Sequence, residues 1–110
     1  MENFEVIFLD DAVDFLRTLE MEVQEKVLEN IRVSKFTRDP RLFKKLNANI
    51  WEFRTRYGSK QIRFLAFWDK RNSVKTLVVA THGFVKKAKK IKSNDLIKAE
   101  RLRKEYFTEE

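Results

Sequence analysis

The sequence predicts a small α+β domain of order β–α–α–β–β–β–α, a mostly antiparallel sheet with its helices packed on one face. Three observations carry that prediction. Alternating apolar and polar residues over Ile50–Tyr57 and Lys60–Asp69 flank Gly58-Ser59, the pattern of a tight hairpin. Apolar residues at near-helical spacing fill the stretch from Val13 to Ile31, after a short β-branched run. Finally, 110 residues with 43% hydrophobic content and ten phenylalanines supply one core, so residues 1–110 are read as a single domain.

Phe4-Glu5-Val6-Ile7-Phe8-Leu9 is the apolar run of a buried first strand. It ends at Asp10-Asp11, either of which is a candidate cap for the next helix. The helical phase slips near Leu19-Glu20-Met21-Glu22, which predicts two antiparallel helices over 11–20 and 21–37. Thr37-Arg38-Asp39-Pro40 closes the second, because proline pushes the residue before it out of the α region. Leu42-Phe43-Lys44-Lys45-Leu46-Asn47 reads as a connecting segment anchored by Phe43 and Leu46.

Glycine at the first central position of Gly58-Ser59 suits a type II′ turn, and that turn sets the register of the hairpin. Trp51 faces Ala66, Phe53 faces Phe64, Thr55 faces Ile62, and Arg54 faces Arg63. Apolar pairs then share one face and arginines the other. Like charges directly opposed cost about 0.2–1 kcal/mol, Arg56 lies on the diagonal, and Glu52 offsets only one of them. Such a cluster has a use if its counter-ion is an external anion. Asp69–Ser73 is a polar turn, and Val74–Thr81 is a further β-branched strand whose register no turn sets, which leaves His82 unassigned between the faces. Ser93-Asn94-Asp95 holds a cap candidate for a last helix carrying Leu96, Ala99, Leu102 and Tyr106.

Charge is divided along the chain. Residues 1–30 carry a net −7 and residues 31–110 a net +14, with five lysines in the seven positions Lys86–Lys92. A self-repelling lysine run beside a core strand points to a polyanion partner. The absence of cysteine excludes disulfides and thiolate metal sites, and one histidine is too few for an all-protein zinc site. No cofactor is implied. No basic leader and no 18-residue apolar stretch occur, so the expectation is a cytoplasmic protein with no membrane partner.

Phe43-Lys44-Lys45-Leu46, Trp51-Glu52-Phe53-Arg54-Thr55-Arg56-Tyr57-Gly58, Arg63-Phe64-Leu65-Ala66-Phe67 and above all His82-Gly83-Phe84-Val85-Lys86-Lys87 resemble the RelE/ParE superfamily of bacterial toxins. The resemblance spans nearly the whole chain and is closest to the HigB-like branch of phage-derived proteins. It implies a RelE-like fold and the toxin of a type II toxin–antitoxin pair: a metal-independent endoribonuclease that cuts mRNA on the ribosome, inhibits translation, and is neutralised by an antitoxin of helix-turn-helix type. In that reaction a ribose 2′-OH attacks the adjacent phosphate, leaving a 2′,3′-cyclic phosphate and a 5′-OH.

Carried over by position, the resemblance makes Arg54 and Arg63 the cations for the phosphorane and Lys86 or Lys87 the donor to the leaving oxygen. His82, with a reference pKa of about 6.5, is a candidate acid or base. Phe84 is a candidate stacking surface for a base. Arg56, Lys44, Lys45, Lys89, Lys90 and Lys92 are expected to hold the RNA backbone. Two departures stand out: no tyrosine precedes the last helix, where some ribonuclease relatives have one, and the proline common at that helix start is absent. Two other readings fit the same residues: a ParE-like inhibitor of DNA gyrase, and a nucleic-acid-binding module without chemistry.

Overall fold

Every residue from Ile62 to Phe67 is buried, because the apolar run Phe64-Leu65-Ala66-Phe67 has a hydrophobic side chain for each face of a sheet. That run is the middle of a central strand. In the computed structural model, which describes residues 4–109, the elements are β1 Glu5–Phe8, α1 Asp10–Thr18, α2 Met21–Ser34, β2 Phe43–Lys45, β3 Trp51–Tyr57, β4 Lys60–Asp69, β5 Leu77–Val85 and α3 Ser93–Thr108. The five strands lie in the order β1-β5-β4-β3-β2. Among the described residues only β1 and β5 pair in parallel.

The hairpin has the register its turn predicts, from Tyr57 opposite Lys60 to Trp51 opposite Ala66, with Arg54 opposite Arg63. Gly58 has φ +59°, and no non-glycine residue among those described has positive φ. A type I′ turn needs positive φ at both central residues, so the turn is of the II′ kind. The break between the first two helices is also where the phase slip puts it. Leu19 and Glu20 are extended, with ψ of 149° and 153°.

The α+β class and the mostly antiparallel sheet stand, but the helices do not share one face. α1 and α2 cover Phe53, Phe64, Ala66 and Val78, whereas α3 covers Leu65, Phe67 and Val79 on the opposite side through Leu96, Ala99, Tyr106 and Phe107. A central strand apolar on both faces requires cover on both. At the far end of α3, Tyr106 donates a 2.8 Å hydrogen bond to Asp69. Hydrogen bonds from Arg71 above all, and from Tyr106, hold the Asp69 carboxyl down at about 2.

The segment read as a connector contains a strand. Phe43 stacks on Phe53 with centroids 4.3 Å apart, which draws Phe43–Lys45 into the ladder as the β2 edge. Three residues with two lysines make a short, charged edge of the kind that resists further strand addition. Helix α2 stops at Ser34, short of the expected Thr37. Neither Asp10 nor Ser93 is a cap: both lie inside their helices, after Leu9 and Lys92.

The last strand is displaced by several residues from Val74–Thr81. The Asn72 side chain accepts the amides of Val74 and Lys75, so Val74 sits 94% exposed in a turn. At the other end a bulge extends the pairing. Ala80 lies opposite Ala66 but His82 lies opposite Leu65, which leaves Thr81 as the extra residue. A bulge reverses the side-chain alternation beyond it. Val79 faces α3, and past the bulge so do His82 and Phe84, while Gly83 meets Phe15 and Phe64 on the α1 side. Were Thr81 paired in the regular ladder instead of bulged, His82 and Phe84 would point into the α1 core.

Candidate active site

Helix α3 covers only part of its face, leaving the end of the sheet near the hairpin turn to polar side chains. Strand register sets these in rows. Arg54, Arg63 and Phe84 are neighbours across β3, β4 and β5. Lys44, Glu52, Leu65 and His82 form the row on one side. The Lys86 amide donates to Gln61 O at 2.7 Å, so the pairing runs on and Arg56, Gln61 and Lys86 form the row on the other.

At the centre of the rows lies a buried ion cluster. The Arg63 side chain is 4% exposed and Glu52 3%, whereas Arg54 is 29% exposed. One Glu52 oxygen is 3.3 Å from Arg54 Nε and the other 3.6 Å from Arg63 Nε. A single carboxylate therefore spans both guanidinium groups and leaves one positive charge in excess. Arg63 also donates to Gln61 Oε1 at 2.8 Å and to Ile62 O at 3.2 Å, and Arg54 to Pro40 O at 3.2 Å. Arg54 Nε, Arg63 Nε and Glu52 Oε2 are buried without a hydrogen-bond partner among the described residues. Burial lowers the Arg63 pKa, Glu52 opposes that, and the Arg54 charge adds to the lowering. Guanidinium keeps its proton at neutral pH regardless. Buried like charges with unused donors form a site preorganised for an anion with several oxygens.

Phe84 is half-buried beside Arg63, its ring 5.8 Å from that of His82. Lys86 is half-buried next to Gln61, and Lys87, Lys89, Lys90 and Lys92 are exposed. Ile91, like Phe84 and Leu96, packs against the core cluster on the α3 side and so pins the lysine loop there. Between loop and helix lies a cavity of about 290 Å³ lined by Phe84, Lys86, Lys87, Lys90, Lys92 and Asp95. The N-terminal end of α3 adds its positive dipole there. The expected RNA-backbone contacts separate in space: Lys45 pairs with Trp51, on the α2 side of the sheet, and Lys89 lies outside the cavity lining.

His82 belongs to the arginine face but is buried, with both ring nitrogens engaged. Nδ1 is 3.0 Å from Thr81 Oγ1 and Nε2 is 3.3 Å from Asp95 Oδ1 in the first turn of α3. Burial pushes its pKa down, Asp95 and Asp11 act to raise it, and Lys98 acts to lower it. Thr81 Oγ1 also lies 3.2 Å from Leu65 O, so the bulged residue joins ring and central strand.

Glu52 is the site residue sequence reasoning undervalued, since composition cannot show one carboxylate reaching two arginines. Its signal is its position two residues before Arg54 on the same face. Among the described residues no group of three His, Cys, Asp or Glu side chains could hold a metal ion, and no helix is long and apolar enough to cross a membrane.

Residues 14–104 match the family described as phage derived protein Gp49-like. Among solved structures, the archaeal RelE–RelB complex from Pyrococcus horikoshii OT3 includes a chain similar to this one. It has 13% identity and a TM-score of 0.49, with 76% of this chain and 96% of that chain covered. No curated protein matches.

Proposed function

The chain belongs to the Gp49-like family of phage-derived proteins, and we propose that it is a RelE-like toxin, the toxin of a type II toxin–antitoxin pair, and cleaves mRNA on the ribosome. The observation that carries the chemistry is the Arg54–Glu52–Arg63 cluster, whose buried Nε–H groups are ion-paired to one shared carboxylate and make no hydrogen bond among the described residues. The scissile phosphate sits against Arg63 and Arg54. As the 2′-oxygen attacks phosphorus, the added negative charge falls on oxygens that these donors already face, an arrangement in which one lost donor costs about 10²–10³ in rate.

The proton account closes with two side chains. When phosphate oxygens take over the Nε–H groups, the Glu52 carboxylate is released to accept the 2′-OH proton. The P–O5′ bond then breaks, and the 5′-oxygen takes a proton from the Lys86 ammonium in the adjacent row. Exposed Lys87 supplies field without a fixed position. His82, shielded by Asp95, is a positioning residue that ties β5 to α3 and thereby holds the lysine loop. The antitoxin neutralises the protein by covering the basic face, which an acidic segment suits.

Expression without antitoxin should stop translation within minutes and leave transcripts cut, with DNA supercoiling unchanged. Lost supercoiling alongside intact transcripts would overturn the reading and identify gyrase as the target.

A further inference from the structure

On the α2 side of the same sheet edge lies a second cavity, of about 220 Å³, which the chemistry above does not use. Its walls are aromatic. Phe43 meets Trp51 at 4.8 Å, and Trp51 meets Trp68 edge-on at 5.7 Å. Its rim carries Lys35, Arg38 and Lys45, and no acidic side chain lines it among the described residues. Lys70 Nζ lies 4.9 Å over the Trp68 ring and adds a further cation beside the aromatic wall. The three aromatic side chains are only half-buried.

The cavity is joined directly to the arginine cluster. Pro40, which lines it, accepts the Arg54 guanidinium at 3.2 Å, and the Arg54 amide donates to Leu42 O at 2.8 Å. Strand β2 at this edge is only three residues long. A chain of phosphates bound at Arg54 and crossing this edge therefore arrives at a cation-rimmed aromatic nest. Cations tracking a backbone, combined with rings for its bases, are how proteins hold single-stranded nucleic acid.

We propose that this cavity takes an unstacked base of the same single-stranded RNA whose phosphate is held by Arg54 and Arg63, with Arg38 and Lys45 on the flanking phosphates. The assignment rests on the ribonuclease reading for the identity of the strand. It adds a nucleobase subsite outside the reacting groups, and thereby a place where sequence preference is set.

The chain has two tryptophans and both line the cavity, so tryptophan emission reports on this edge of the sheet. The full-length protein is titrated with a short 2′-O-methyl RNA, which lacks the attacking hydroxyl, with an abasic strand of equal length, and with a poly-glutamate peptide. The base-bearing strand should quench tryptophan emission and bind at least about 10-fold tighter than the abasic one. Arg38→Ala with Lys45→Ala, both at exposed positions, should lower the salt slope of binding by about 1.4 in log–log terms. Equal binding of abasic and base-bearing strands, or a fluorescence response to the acidic peptide alone, overturns the proposal. Cleavage of natural mRNA by the wild-type protein is scored separately. Cleavage with equal abasic binding removes the subsite and keeps the ribonuclease; quenching without cleavage does the reverse.

Discussion

Glu52→Gln isolates the charge at the centre of the cluster while keeping its shape. Removing one partner of a buried ion group costs about 3–5 kcal/mol, because the remaining charge is left uncompensated. With both guanidinium groups unpaired, inorganic phosphate should restore more thermal stability to Glu52→Gln than it adds to the wild type. Equal phosphate effects would mean the cluster does not face a ligand. His82 gives a pH dependence of known sign. Its folded pKa lies below the unfolded value, so the unfolded chain takes up the proton first and stability falls as pH drops below about 6.5. Asp95 and Asp11 on one side and Lys98 on the other set how far. Urea midpoints at pH 7.5 and 5.5 should differ in the wild type, with that part of the difference missing in His82→Gln.

Among elements, the hairpin was readable and the last strand was not, for one physical reason. Gly58-Ser59 ties register to turn type, so opposing Arg54 to Arg63 followed from two residues. Nothing comparable marks the bulge at Thr81, a β-branched residue that fits an ordinary strand as well. That single bulge turns His82, Phe84 and Lys86 toward the arginines, which is why the face of His82 was not legible. Gly83 is its visible trace: a Cβ there would overlap the Phe15 and Phe64 rings. Gly83→Ala should therefore cost about 1–3 kcal/mol through overpacking, read as a lower urea midpoint at unchanged slope. An unchanged midpoint would mean α1 packs more loosely than this contact requires.

For the molecule as a whole, the charge division of the sequence becomes a division of surfaces. Acidic residues of α1 and α2 cover one side of the sheet, and the basic half builds the hairpin, the lysine loop and the arginine rows. Composition made that polarity readable. It could not show that the sheet is covered on both faces, since Leu65 and Phe67 announce their burial but not which helix buries them. The most direct test of the central claim is the chemistry of RNA ends made by purified protein in a translating extract. The account predicts fragments with 5′-OH and 2′,3′-cyclic phosphate ends from the wild type, and at least about 10²-fold fewer from an equally folded Arg63→Lys variant. Undiminished cleavage by Arg63→Lys, or transcripts left intact by the wild type, would contradict it.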